Sequence, residues 1–231
     1  MPSIDNVVSF AYNFLNKKGI SMYELLDIYT EDGRHVGVAD RNVAHEFALW
    51  HRTVHCWLVR GGNIIFQRRS SALNNNPGKL YTTASGHLQA GESLEDAFTR
   101  ETREEFGVAV KNPVKILTGN FSLDFKRTDG SDFRDRAMYS IFFAETDVPL
   151  DQFKPQAAEL DGLVEMDMKS ALDLFDGKID SLSAVGYLVG ADGKFTLKDI
   201  TITRDDFVCN KGETLEDKYG KVINSIISRG V

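Results

Sequence analysis

The sequence predicts an α/β fold built on a mixed sheet with helices on both faces. Three observations predict it. Short runs rich in Val, Ile, Phe and Tyr come in pairs around turn residues. A strongly amphipathic helix stands between two such pairs, and further amphipathic stretches occupy the two ends of the chain.

In chain order, residues 4–17 place Ile4, Val7, Val8, Ala11 and Phe14 on one face of a short helix that Gly19 ends. Tyr23–Tyr29 and Arg34–Asp40 flank Glu31-Asp32-Gly33 and read as a β-hairpin. A helical turn follows over 42–50. Thr53–Val59 and Asn63–Arg69 flank Gly61-Gly62, a second hairpin. Ser70–Lys79 is a loop with Asn74-Asn75-Asn76-Pro77-Gly78, and a short strand runs over Leu80–Ala84. Ser93 caps the central helix and Gly107 stops it. Val114–Asp124 and Ala137–Glu145 form a strand pair around a polar loop, Lys126–Asp135. A strand over Glu159–Met166 precedes a helix over Ser170–Phe175. The tail is expected to hold a helix over 181–189, a strand over Phe195–Ile202 and a helix over 214–228 bearing Leu215, Tyr219, Val222, Ile223 and Ile226. The domain plan is therefore an N-terminal helix (1–20), a main domain (21–177) and a C-terminal helical extension (178–231).

Composition bounds the function. With 231 residues and 42% hydrophobic content the chain can bury a sizeable core. A net charge of −7 offers no basic surface for a nucleic-acid polymer. Cys56 and Cys209 fit no zinc spacing and no disulfide framework, which suits a reducing cytoplasm. The apolar runs are too short to span a bilayer, so no membrane association is expected.

The central helix carries the chemistry. Positions 94, 97, 98, 101, 104 and 105 share one face by i, i+3, i+4 spacing. Leu94, Ala97 and Phe98 are ordinary core. Glu101, Glu104 and Glu105 then stand where apolar groups belong. Three carboxylates in that position repel one another and lose hydration unless a cation neutralises them. Oxygen ligands suit Mg²⁺ or Mn²⁺. A bare E-x-x-E-E by itself reads more simply as a solvated acidic face.

The surrounding residues reverse that reading. Gly86 to Val108, GHLQAGESLEDAFTRETREEFGV, resembles the Nudix box, G-x5-E-x7-R-E-U-x-E-E-x-G-U, where U is a bulky apolar residue. Gly86, Glu92, Arg100, Glu101, Glu104, Glu105 and Gly107 fill the fixed letters, Val108 fills the last U, and Thr102 replaces the other. The resemblance implies an α/β/α sandwich. It extends from about Glu24 to Phe175 and is similar to the subgroup holding isopentenyl-diphosphate isomerase and its hydrolase relatives. Ser85 stands where the isomerase has its catalytic cysteine, and a hydroxyl is a far weaker acid than a thiol. Leu73 and Asn74 replace its two diphosphate-binding cations, and Arg136-Ala137-Met138 replaces its Glu-x-Glu pair. The resemblance therefore implies a hydrolase rather than an isomerase. A non-catalytic binding module is the other alternative, and the intact box glutamates argue against it.

For a Nudix hydrolase the resemblance implies cleavage of a pyrophosphate bond in a nucleoside diphosphate linked to another group, with metal-activated water as nucleophile. Glu101, Glu104, Glu105 and the Gly86 carbonyl would hold Mg²⁺ or Mn²⁺. Glu104 or Glu105 would take the proton from water, and Arg100 would orient a glutamate. Glu92 and Gly107 are structural. One of Arg68 and Arg69 would face the cleft and touch phosphate, since adjacent strand residues point to opposite faces. His87 is a further substrate contact. Glu159, preferred over Glu145, is the candidate glutamate outside the box. His51 and His87 match isomerase metal-ligand positions and His45 lies close to a third. Without carboxylate partners these histidines read as hydrogen-bonding residues. The partner implied is a small diphosphate, and the terminal segments would cover the fold or form a homodimer surface.

Overall fold

A two-residue turn fixes the central hairpin. Gly61 and Gly62 both adopt positive φ, 54° and 85°, the backbone of a type I′ turn, and Arg60 pairs directly with Asn63 across it. The computed structural model describes residues 24–73, 76–108, 110, 112–126, 132–209 and 212–231. The helix expected over 4–17, and Asn74, lie outside the described residues. The chain divides into two compact units, Met1–Val54 with Gly86–Ala97 and Thr118–Ser140, and His55–Ser85 with Phe98–Leu117 and Ile141–Val231.

In the first unit, β1 (Leu25–Tyr29) and β2 (His35–Asp40) form the expected antiparallel hairpin. Asp40 caps α1 (Arg41–Glu46), accepting from the Asn42 N–H at 2.9 Å. Leu26, Ile28, Ala39, Val43 and Ala44 form the small core between hairpin and helix. The Ala90 N–H donates to the Leu25 carbonyl at 2.8 Å and the Gly91 N–H to Asp27 at 2.8 Å, so the loop entering the central helix is tied to β1.

The large sheet is built from β3 (His51–Arg60), β4 (Asn63–Arg69), β5 (Leu80–Tyr81), β6 (Ala84–His87), β7 (Val114–Lys126), β8 (Asp132–Glu145), β9 (Leu160–Asp167), β10 (Ser181–Val189) and β11 (Phe195–Thr203). Its order is β11-β10-β9-β4-β3-β8-β7, with β5 on β4 and β6 on β3. The expected single strand over Leu80–Ala84 is two short strands, the second running into Gly86 and His87. The expected Lys126–Asp135 loop is also narrower, because β8 starts at Asp132.

The helix α2 (Leu94–Phe106) buries Ala97, Phe98, Thr102 and Phe106. Ser93 caps it as expected, its Oγ accepting from the Asp96 N–H at 3.1 Å. In the second unit, Phe98 meets Phe142 and Phe106 meets Phe153. Each such buried ring contributes roughly 1.5–3 kcal/mol.

The sequence reading of 181–189 as a helix is wrong. The segment is strand β10, pairing with β9 on one side and β11 on the other. Its burial alternates along SLSAVGYLV, with Leu182, Ala184 and Leu188 inside and Ser181, Ser183 and Val185 outside. A period of two is a strand signature, and the Val185-Gly186-Tyr187 centre lowers helix propensity further. The rest of the tail follows expectation: a π-turn (Glu216–Gly220) leads into α4 (Lys221–Ile227), and all five predicted residues of 214–228 are buried. The helix α3 (Met168–Phe175) precedes them. Tyr219 packs among Trp57, Phe66, Phe175 and Phe207, with its hydroxyl donating to the Val208 carbonyl at 2.7 Å.

Candidate active site

The C-terminal half of α2 lays its carboxylates in a graded environment. Glu101 and Glu105 are buried, whereas the side chain of Glu104 is 55% exposed. Arg100 donates to Glu101 at 2.7 Å and to Glu104 at 3.2 Å, so one guanidinium ties two acids together. Glu105 Oε2, by contrast, is buried with no hydrogen-bond partner. Burial, then the charges of Glu101 and Glu159, push its carboxyl well above the usual range, against the opposing pull of the Ser85 N–H and Arg69. A buried acid elsewhere in the same unit shows the contrast. Glu165 receives Arg60 at 2.5 Å and Asn63 at 2.9 Å. Orphaned buried acceptors cost stability and call for an explanation, and a cation at these carboxylates would supply one.

The same environment places several other predicted residues. Arg68 donates its Nε to the Gly78 carbonyl at 3.2 Å, bracing the loop, while Arg69 is the one whose charge reaches Glu105. Glu159 is likewise felt at Glu105, and its carbonyl accepts from the Ser70 N–H at 2.8 Å. Glu145 is exposed and lines a cavity with Asn112, Val114, Arg229 and Val231. Glu92 accepts from the Gln89 N–H at 3.0 Å and closes the turn before the helix. Gly107 ends the helix at φ 67°, and a Cβ there would lie 3.0 Å from Lys154 Cβ. Thr102, the departure from the box, is fully buried and satisfies its hydroxyl on the Phe98 carbonyl at 3.0 Å.

Gly86 and His87 end β6 in the other unit. There His87 joins His45 and His51, the three histidines that the sequence reading had set side by side and read as hydrogen-bonding residues. His45, His51 and His87 each offer a ligand atom within 4.8 Å of the others. His45 Nε2 lies 3.2 Å from His87 Nε2. Asp135 brings Oδ1 to 3.4 Å from His51 Nε2. That contact is misaligned, and both atoms are buried without a hydrogen-bond partner. Burial pulls His51 below its ordinary value and pushes Asp135 above its own, so burial favours the uncharged form of each.

His87, the expected substrate contact, lies beside His45 and His51. The stretch Arg136–Met138 was read as leaving the histidines without a carboxylate, and Asp135 brings one to His51 from a residue earlier. The missed signal was the start of β8: drawn as a loop, Lys126–Asp135 gave Asp135 no defined direction.

Comparison with known proteins agrees with the box. The family model for the NUDIX domain matches residues 49–183. The chain belongs to the Nudix family. An uncharacterised Nudix hydrolase of Clostridium acetobutylicum is 32% identical over 192 residues, 81% of this chain and 91% of that protein. An isopentenyl-diphosphate Delta-isomerase of Mycolicibacterium vanbaalenii is 36% identical over 127 residues, 54% of this chain and 63% of that enzyme. In fold, the Nudix chain resembles the crystal structure of DR0079 from Deinococcus radiodurans, with a TM-score of 0.50 at 23% identity over 67% of this chain and 90% of that one. The protein is a Nudix hydrolase, of the family that cleaves pyrophosphate bonds with divalent metals.

Proposed function

We propose that this Nudix hydrolase cleaves the pyrophosphate bond of a nucleoside diphosphate linked to a second group, or of a related organic pyrophosphate, using Mg²⁺ or Mn²⁺. The observation that carries the reading is Glu105 Oε2, buried and without a hydrogen-bond partner, in a carboxylate that feels the charge of Glu101. Glu101, Glu104 and Glu105 would be oxygen donors for the cation, and such a set fits a hard divalent ion. When bound, the ion offsets diphosphate charge and lowers the pKa of water.

The chain's own groups do the rest. Glu105, held with its proton affinity raised, is the group suited to accept the proton from water, and Glu159 tunes it by charge. Arg100 keeps Glu101 and Glu104 pointed together. Arg69 is the phosphate contact, while Arg68 holds the neighbouring loop. The segment 178–231 is read as an extension packed on the catalytic domain, since β10 pairs with β9 and Tyr219 closes the aromatic cluster. No helix among the described residues is long and apolar enough to cross a membrane, and both cysteines are free. We place the activity in the cytoplasm on the strength of those thiols.

The isomerase alternative draws on the histidine cluster and on the similarity to an isomerase. It lacks an acid at Ser85, whose N–H serves Glu105. The deciding experiment is a screen of organic pyrophosphates with Mg²⁺ or Mn²⁺ on wild type and Glu105→Gln. Hydrolysis by wild type and its loss in the variant supports the proposal. Hydrolysis that survives both Glu105→Gln and chelation overturns it.

A further inference from the structure

We propose, on the reading of Arg69 as the phosphate contact, that Tyr219 is a positioning residue for it, acting through Val208 and β5, so that the C-terminal extension belongs to the phosphate-binding machinery. All the residues involved lie in the second unit. Arg69 is the last residue of β4, and the register between β4 and β9 shifts just before it. An irregularity of that kind disrupts the ladder locally. On the other side Arg69 is tied to the hairpin. Its N–H donates to the Lys79 carbonyl at 2.9 Å, and its own carbonyl accepts from the Gly78 N–H at 3.1 Å. Where Arg69 stands therefore depends on where residues 78–80 stand.

Strand β5 is too short to hold its own place. It consists of Leu80 and Tyr81, against about five or six residues in an ordinary strand. The C-terminal extension grips it, and Lys79 before it. The Val208 N–H donates to the Leu80 carbonyl at 2.9 Å, and Phe207 forms a parallel bridge with Leu80. The Lys79 ammonium bonds to the Asp205 carbonyl. Lys218 Nζ lies 5.7 Å from the centre of the Tyr81 ring, within reach of a cation–π attraction.

One hydroxyl sets that grip. Tyr219 stands in the π-turn, a form of helix that recurs at functional sites. Its ring is buried in the aromatic cluster, and its hydroxyl donates to the carbonyl of Val208, itself buried. Burial raises the pKa of the Tyr219 phenol, so it keeps its proton and remains a donor, while Arg69 pulls the other way. The Arg69 charge thus reaches Tyr219 as well as Glu105. A run of contacts joins the two ends: Tyr219 hydroxyl to Val208 carbonyl, Val208 N–H to Leu80 carbonyl, and, one residue back, Lys79 carbonyl to Arg69 N–H. Placement matters steeply at such a contact, since a shift of about 1 Å can cost about 10²-fold in rate.

The test uses the full chain and methylenediphosphonate, a diphosphate analogue with no P–O–P bond to cleave, titrated by calorimetry with Mg²⁺ present. Tyr219→Phe keeps the ring and deletes the hydroxyl. It should weaken binding by about 10-fold, and Arg69→Ala by at least as much. The double variant should bind no more weakly than Arg69→Ala, because Tyr219 acts through Arg69. Phe207→Leu loosens the bridge to Leu80 without removing a charge, and should repeat the pattern of Tyr219→Phe. Ile202→Ala, at a buried position on β11, is the control for plain loss of stability. It should lower Tm and keep the affinity within about twofold, as distant sites do. Unchanged affinity in folded Tyr219→Phe, or in Phe207→Leu should Tyr219→Phe not fold, overturns the proposal. So does full additivity with Arg69→Ala, or an equal loss in Ile202→Ala. In each of these cases a hydrolysis that Glu105→Gln abolishes still stands. A wild type that binds no diphosphonate overturns this proposal as well, and hydrolysis in the Glu105→Gln screen then decides the activity separately.

Discussion

Replacing Glu105 by Gln should make the metal-free protein more stable while destroying its activity. Glu105 Oε2 is buried with no hydrogen-bond partner, and the negative charges of Glu101 and Glu159 add to the strain. An unsatisfied buried polar atom costs about 1–3 kcal/mol, more when charged. A neutral amide of the same shape removes the charged part of that cost. For a chain of this size, 1 kcal/mol moves Tm by about 2–4 °C, so removal of about 1–3 kcal/mol gives a gain of about 2–12 °C in chelator. The sign with pH is definite. A carboxyl whose folded pKa is raised contributes no penalty below its unfolded pKa, where it is protonated in both states. The penalty grows as pH rises from there through the folded pKa. Wild type and Glu105→Gln should therefore melt alike at acidic pH and diverge as pH rises. Millimolar Mg²⁺ should then stabilise wild type and not the variant. Thermal melts across pH, with chelator and with Mg²⁺, check all three statements. A variant less stable than wild type at every pH in chelator would refute the reasoning.

Three further outcomes follow from the same geometry. Glu104→Gln, at an exposed position, should keep the fold and lower kcat by at least ~10²-fold with Mg²⁺ in steady-state hydrolysis, since it removes a proposed metal ligand beside the reacting atoms. The protein should not isomerise isopentenyl diphosphate, because Ser85 supplies no thiol, and isotope exchange into that substrate would show the opposite. Half-buried His55, held down to about 4 by burial and then by Lys218, should weaken the fold in acid. A lowered histidine pKa leaves stability intact above the unfolded value near 6.5 and removes it as pH falls toward about 4, by up to ~3 kcal/mol before allowance for partial exposure. His55→Asn should flatten that limb in urea titrations at stepped pH.

The acidic stripe was legible because a helix of known period turns sequence spacing into a shared face. Glu101, Glu104 and Glu105 needed no tertiary information. The choice between Arg68 and Arg69 did need it. Alternation says that the two point to opposite faces, and only the folded chain puts Arg68 on the Gly78 carbonyl and the charge of Arg69 near Glu105. The helix expected over 181–189 failed because an apolar run of that length fits either period. Its pairing with β9 and β11, set by residues distant in sequence, decided for the strand. Asp135 was hidden by a boundary error of a few residues at the start of β8, the least legible kind of feature. The histidines drew notice in the sequence, yet their convergence depends on a helix and two strand ends, which no linear spacing encodes.

The outer strand β11 ends the sheet order, and its central residues, Thr196, Leu197, Lys198 and Asp199, are exposed. A terminal strand offers a row of unspent backbone donors and acceptors to any extended chain that drifts past. Lys198 and Asp199 sit at the middle of that row, where an arriving strand must crowd or dehydrate both charges. Exchanging the two for Val or Thr would leave the interior untouched and change how concentrated solutions behave, trading clear samples for fibrous ones.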